Sequence, residues 1–414
     1  MITGVWIGGS SPDILCGEAV MGSSVPECLV RALFSEVAEG LPCFCLERWQ
    51  SLHETRVNVL LSESGVQPLT VYELAEYGVD LRKILSLEVG YGWTKGSPGL
   101  RERISELYDG AVDAESVVVT NGSAEANLAA LLSTVKSGDT VLVDMPNYMQ
   151  VPGLLKWVKA RVIPLWRGPP DWRFPLGKAL ELMRRHRPKA LFVNDPNNPT
   201  GTVMSEGELK ELTQEAESVG TLLVFDEVYW GSELHGSRPS ILEVAGAEHA
   251  LSVSGLSKVY GLPGLRIGWV AGSREIVNKS WSVKDYITIA PSVLSDYVAS
   301  VTLESSNVER LRERARRIVK SNLETLKEAL ASREGVIEPY WPEAGAYLLA
   351  RIPWSSDTLA VSYKLFTDYS VLINPGECFE IPGFVRIGTG QNPSTYSRSV
   401  QTLINALRGI INAH

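Results

Sequence analysis

"SVSGLSKVYGLPGLRIGWVAG", residues 252–272, decides the fold. The segment begins inside an apolar run, "ALSVSG" (250–255), and presents Lys258 just past its end. Glycines and Pro263 carry the chain back to Arg266, which opens a second strand-like run, "RIGWVAG" (266–272). A buried ammonium is expensive unless it meets a partner. A guanidinium close behind the lysine raises the same question twice.

Outward from this turn, strand-like runs alternate with helical patterns. The runs are "SVVVT" (116–120), "TVLVDMP" (140–146), "RVIPLW" (161–166), "KALFVNDP" (189–196) and "TLLVFDEVY" (221–229). Between two of them, "SEGELKELTQEAESVG" (205–220) reads as a helix opened by Ser205 and closed by Gly220. Continuous apolar strands alternating with helices predict a mostly parallel sheet covered on both faces, a three-layer α/β domain. After about residue 290 the pattern changes to a long helix (307–332) and a smaller α+β tail with strand-like "GAYLLARI" and "FVRIGTG". "WIGGSSPD" reads as loop, and "CLERWQSLHE" (45–54) as a short amphipathic helix. The expected division is a large α/β domain over 66–290 and a small α+β domain built from 1–65 and 291–414.

Composition narrows the function. The chain has 414 residues, 39 basic against 48 acidic, and a net charge of −9. That balance argues against nucleic acid or an anionic membrane as partner, since both need a basic surface. The one basic run, "RLRERARR" (310–317), reads as the solvated face of the long helix. Five cysteines at irregular spacing, with a lone C-x-C at Cys43 and Cys45, do not match a zinc site. No stretch reaches the roughly 18 apolar residues of a membrane span. These features predict a cytoplasmic protein in a reducing compartment.

In a parallel α/β sheet, ligands bind at the carboxyl ends of the strands. Each run here ends in an unusual polar group. "SVVVT" leads into "NGSAEANLAALL", a helix start whose free amides at Ser123 and Ala124 suit a phosphate. The other ends offer Tyr148, Asn198, Asp226 with Tyr229, and Lys258. An aspartate facing a pyridinium nitrogen and a lysine forming a Schiff base are a protein's two handles on pyridoxal phosphate.

These residues carry a family resemblance. "NDPNNPTG" (194–201), "FDEVY" (225–229) and "SKVYGLPGLRIGW" (257–269) resemble, in order and spacing, the class I/II aminotransferases, fold-type I pyridoxal-phosphate enzymes. The likeness extends to "YGWTKGSPGLR" (91–101), "TNGSAEA" (120–126), "PEAGAY" (342–347) and "VRIGTG" (385–390). It implies an aspartate-aminotransferase-like fold and a role for each matching residue. Lys258 would hold the cofactor, with Asp226 against its ring nitrogen and Tyr229 and Asn198 on its ring hydroxyl. Tyr148 would stack on the ring, and Arg266 with the Ser123 and Ala124 amides would take the phosphate, beside Ser257. Tyr91 would reach the phosphate site of a neighbouring subunit, implying a homodimer with shared sites. Arg386, with Asn198, would clamp the substrate carboxylate.

Two departures stand out. Many relatives place a phosphate-binding serine three residues before the lysine, where this chain has Gly255. The segment from "LERWQSLHE" to "LLSESGVQPLTVYEL" resembles a less typical branch that includes capreomycidine synthase, a cyclising enzyme. The resemblance therefore implies transfer of an α-amino group between an amino acid and a 2-oxo acid by a ping-pong mechanism, with a lyase or cyclase as the alternative. A DNA-binding regulator built on the same fold is disfavoured, because the first 65 or so residues lack a basic helix-turn-helix pattern. For side-chain recognition, Arg48, Arg56 or Lys95 are candidates for a second anion site. Trp49, Trp93 and Tyr286 are candidates for an apolar pocket, and Glu47 and Glu63 for a basic side chain.

Overall fold

The computed structural model describes residues 25–331 and 333–413. The "WIGGSSPD" segment and Cys16 lie outside the described residues. The elements that position the site are numbered in chain order: α1 (Cys45–His53), β1 (Val117–Thr120), α2 (Ser123–Thr134), β2 (Thr140–Met145), β3 (Arg161–Trp166), β4 (Ala190–Asn194) and α3 (Glu206–Val219). They continue with β5 (Leu222–Asp226), β6 (Ala250–Gly255), β7 (Gly268–Ala271), α4 (Ser305–Leu330), β8 (Glu338–Tyr340), β9 (Tyr347–Arg351), β10 (Asn374–Pro375) and β11 (Phe384–Gly388).

The large sheet runs β1-β7-β6-β5-β4-β2-β3. Pairing is parallel from β3 through β6, and only β7 runs antiparallel to its neighbours. Successive strand side chains alternate between the faces, as the pleat requires. Val118, Val141, Val143, Phe192 and Val224 pack on one side with Ala126 and Ala130 of α2. Val119, Leu142, Leu191, Leu223 and Phe225 pack on the other with Leu209 and Leu212 of α3. Each fully buried side chain of this size contributes about 1.5–3 kcal/mol. Helix α3 begins and ends where its sequence signals lie. Ser205 and Glu208 form a capping box, and Gly220 closes the helix in the left-handed conformation.

A second sheet, β8-β9-β11-β10, is antiparallel. The N-terminal part of the chain is stitched to this region. Val59–Leu60 pairs in parallel with Val371–Leu372, and the Trp49 indole of α1 donates to the Ile373 carbonyl at 2.9 Å. Among the described residues no helix is long and apolar enough to cross a membrane.

Two expectations need correction. The run Arg310–Arg317 is not a uniformly solvated face. Leu311 and Ala315 are buried, the Arg312 guanidinium lies 5.0 Å from the Trp230 ring centroid, and Arg314 donates to the Gln67 carbonyl. Helix α4 is docked along this face, so Arg312 and Arg314 reach a ring and a carbonyl, while Arg310 and Arg317 stay exposed. The cysteines are not all free thiols either. Cys45 of α1 is bonded to Cys378 across 333 residues of sequence. Irregular spacing along the chain gave no sign of that pair, and cysteine usage here does not argue for a reducing compartment.

Candidate active site

The carboxyl edge of the large sheet gathers the polar groups singled out from the sequence. Strand β5 ends in Asp226, β4 in the turn that carries Asn198, β2 in the turn that carries Tyr148, and β6 in the turn that carries Lys258. Parallel register places these ends side by side: Asn194 lies opposite Asp226, and Asp226 opposite Val253.

Asp226 accepts from the Asn127 amide at 2.9 Å and from the Val228 N–H at 3.2 Å. Burial pushes its carboxyl up from the ordinary range, while these hydrogen bonds act in the opposite direction. Asn127 was missed in the sequence, although a signal existed. It lies one helical turn after Ser123, so it faces the same edge.

Beside α2 the chain forms a tight anion cup. Gly122 has φ of +87°, and a side chain on it would come within 2.2 Å of the Arg266 guanidinium. A Cβ on Gly268 would lie 2.4 Å from the Gly122 carbonyl carbon and 2.5 Å from the Ser123 nitrogen. Only glycines let the guanidinium approach the N-terminus of the 12-residue helix α2 this closely. These residues fit a phosphate. Gly255 belongs to the same packing, since a Cβ there would meet the Ile267 carbonyl at 2.9 Å and Ser123 Cβ at 3.6 Å. A serine at that position would have to displace backbone. Ser257 is buried next to Lys258.

Arg386 is 1% exposed. One guanidinium nitrogen donates to Asn198 Oδ1 at 2.8 Å and another to the Ser62 carbonyl at 2.8 Å, while Nε has no partner. The guanidinium also approaches the rings of Tyr347 and Phe379, at 5.6 and 5.2 Å. Asn198 is held by its neighbours: its N–H donates to Asn194 Oδ1 at 2.6 Å. Asn197 reaches Asp144, which forms a fully buried two-point pair with Arg167 at 2.7 and 2.8 Å. The Asp144–Arg167 pair had no sequence motif.

Tyr229 packs edge-on against Tyr347, with ring centroids 5.0 Å apart, and donates to Ser64 Oγ at 2.9 Å. Tyr148 donates to a Glu47 carboxylate oxygen and packs edge-on against Phe44 at 4.8 Å. Burial pushes the Tyr148 phenol well above its usual value, and Glu47 adds to the shift. A cleft of about 550 Å³, lined by Phe44, Glu47, Arg48, Met149 and Glu377, opens on this side.

Other candidates fall elsewhere. Tyr91 is 88% exposed and lines a surface hollow of about 620 Å³ with Asn121 and Arg266. Trp49 is packed in the core, and Trp93 and Tyr286 stand on the surface. Lys95 is engaged by Glu115, and Arg56 lies over Phe366.

Comparisons with known proteins agree with this geometry. Residues 63–403 match the family described as aminotransferase class I and II. Capreomycidine synthase from Streptomyces vinaceus is 28% identical over 357 residues, covering 84% of this chain and 90% of that one. Aspartate/prephenate aminotransferase from Thermus thermophilus is 28% identical, over 77% of this chain and 81% of that one. The crystal structure of a PLP-dependent aminotransferase from Streptococcus suis superposes with a TM-score of 0.83 at 31% identity, covering 89% of this chain and 98% of that one. A strand-edge lysine and aspartate, a glycine-lined anion cup and a family match across most of the chain converge on one conclusion: the protein belongs to the class I and II aminotransferases and is a pyridoxal-phosphate-dependent transferase.

Proposed function

We propose that the enzyme transfers an α-amino group between an amino acid and a 2-oxo acid in two half-reactions. The observation that carries this reading is Arg386, a buried guanidinium with an unpartnered Nε, linked through Asn198 and Tyr347 to the edge that holds Asp226 and Tyr229. An α-carboxylate is the planar anion that suits such a fork. Pyridoxal phosphate, when bound, supplies an electron sink for charge developing at the α-carbon.

The chain's own residues do the rest. The Arg266 guanidinium and the amides of Ser123 and Ala124 bind the phosphate. Asp226, oriented by Asn127, keeps a proton on the ring nitrogen. Asn198 and Tyr229 hold the ring hydroxyl. Tyr148, anchored by Glu47, would cover one ring face. Lys258 Nζ would hold the cofactor and, when free, would accept and return the substrate's α-proton. K258A is expected to lose turnover and the Schiff-base absorbance together; an active K258A enzyme would refute this assignment.

The working unit in this reading is a homodimer. Val89, Tyr91 and Trp93 gather with the 290–293 segment into an exposed apolar face suited to a second copy, which would bring Tyr91 to the partner's phosphate cup.

One observation favours a second reading, ring closure or elimination on an amino acid with a cationic side chain. Burial pushes the Glu54 carboxyl up, and then Glu63 and Glu47 push it further, so three carboxylates share one neighbourhood. Glu63 lies between Ser62, which meets Arg386, and Ser64, which meets Tyr229. The similarity to capreomycidine synthase supports the same reading. An amino-donor screen separates the two. Amino transfer leaves the cofactor in its amine form and releases an oxo acid; ring closure returns the original absorbance with no oxo acid, and elimination returns it with an oxo acid and ammonia.

A further inference from the structure

Ser64 belongs to none of the strand-edge motifs, yet its Oγ accepts the Tyr229 phenol proton at 2.9 Å. Both residues are buried, at 5% and 2% exposure. A phenol has one proton to donate. In the reading above, that proton serves the cofactor's ring oxygen, so it cannot also remain on Ser64. The serine hydroxyl is able to rotate and donate in the opposite direction.

We propose that Ser64 is a positioning residue for Tyr229: with cofactor bound, its hydroxyl donates to Tyr229 Oη and strengthens Tyr229 as a donor to the ring oxygen. The proposal rests on the assignment of Tyr229 to that oxygen. Hydrogen bonds in a chain polarise one another, and the effect is larger where water is scarce.

The backbone fixes Ser64 from both sides. Gly65 lies against the Lys258 turn, where an added Cβ would be 3.1 Å from the Ser257 carbonyl oxygen and 3.6 Å from Lys258 Cα. The Val66 N–H donates to the Lys258 carbonyl at 3.3 Å. On the opposite side, a Cβ on Gly390 would be 2.1 Å from the Gly65 carbonyl oxygen, and the Gln67 N–H donates to the Gly390 carbonyl at 2.6 Å. The Tyr229 ring is fixed by Tyr347, so the meeting of the two hydroxyls is set by packing. Ser64, Tyr229, Lys258 and Gly345 line a cavity of about 10 Å³. That is the space of a single water at most.

The test is a pH titration of the bound cofactor's visible absorbance in the holoenzyme. A hydrogen bond donated to the ring oxygen stabilises the more negative form, so weakening it raises the apparent pKa. Y229F removes the donor and is expected to raise it by about 1–2 pH units. S64A removes only the polarising hydroxyl and is expected to raise it by about 0.3–0.5 unit. S64T keeps a hydroxyl and restores the wild-type value. S64A and Y229F each remove one oxygen and add no bulk, and both are titrated at saturating pyridoxal phosphate. An S64A value at or below wild type, with Y229F still raised, overturns the role of Ser64 alone. No shift in either variant overturns the assignment of Tyr229 itself.

Discussion

The carboxyl edge of the large sheet and the segment from α1 to Val66 supply the site in different ways. Along the sheet edge, each functional group sits at the end of its own strand, and parallel register aligns the ends. Asp226 ends its strand, and Asn198 and Lys258 sit in the turns directly after theirs, so short motifs announce them. The N-terminal segment supplies Glu47 to Tyr148, the Ser62 carbonyl to Arg386 and Ser64 Oγ to Tyr229. The last two contacts depend on irregular backbone fitted between glycines: Gly388 faces the Glu63 carbonyl, and Gly390 faces the Gly65 carbonyl. The comparison suggests a division of labour. In the proposed reading, the sheet edge would hold the cofactor, and the segment from α1 to Val66 would adjust what the cofactor and substrate experience.

The comparison can be broken most forcefully at the anion cup. G122A combines a left-handed φ with a collision at the Arg266 guanidinium. Cofactor affinity is expected to fall by at least about 100-fold, measured as the pyridoxal phosphate concentration needed to restore visible absorbance after dialysis. Wild-type affinity in this variant would show that the cup does not hold the phosphate.

R386K comes next. Lysine keeps the charge but loses the fork that meets Asn198 and Ser62 together. A drop of about 100- to 1,000-fold in kcat/KM for amino-acid donors is expected, with the cofactor spectrum intact. Equal losses of cofactor and activity would mean that Arg386 supports the fold and not the substrate.

Acid probes the other side of the comparison. His53 at the end of α1 is 4% exposed, with Nδ1 2.7 Å from the Trp49 carbonyl oxygen. Burial lowers its pKa to about 4. An unfolded histidine titrates near 6.5, so the unfolded chain binds more protons between those values. The stability from keeping His53 neutral is present above about pH 6.5 and is lost as pH falls toward about 4. Its full size is about 3 kcal/mol. Denaturant titrations at pH 7 and pH 4.5 should differ less in H53F than in wild type; identical differences would remove His53 as the cause.

The smallest effect is expected from E47Q. The variant keeps an acceptor for Tyr148 but loses its charge. A roughly fivefold fall in kcat/KM is expected for donors with a cationic side chain, and less for neutral donors. An equal fall for both donor classes would reduce Glu47 to an anchor for Tyr148.

Legibility in the sequence follows the same line. Strand runs such as "RVIPLW" and "ALSVSG" coincide with β3 and β6, because continuous apolar runs in this context have one stable use. Ser205 and Gly220 marked α3 because capping is local chemistry. Arg310–Arg317 was misread because a cation over Trp230 or Tyr77 is indistinguishable, in sequence, from a cation in water. The Cys45–Cys378 bond joins residues 333 apart, a distance at which spacing carries no information.

By itself, the sequence determined the sheet, the order of its strands along the chain and the polar residues at their ends. Those follow from hydrophobic periodicity and from turn residues, which act within a few positions. Only the tertiary structure decided how Asn127 meets Asp226, how Gly255 closes against Ile267, and how Ser64 and Glu47 meet two tyrosines. Those pairs form when separate segments are pressed together around a common core, and a hydrogen bond of 2.9 Å between residues 165 positions apart leaves no periodic trace.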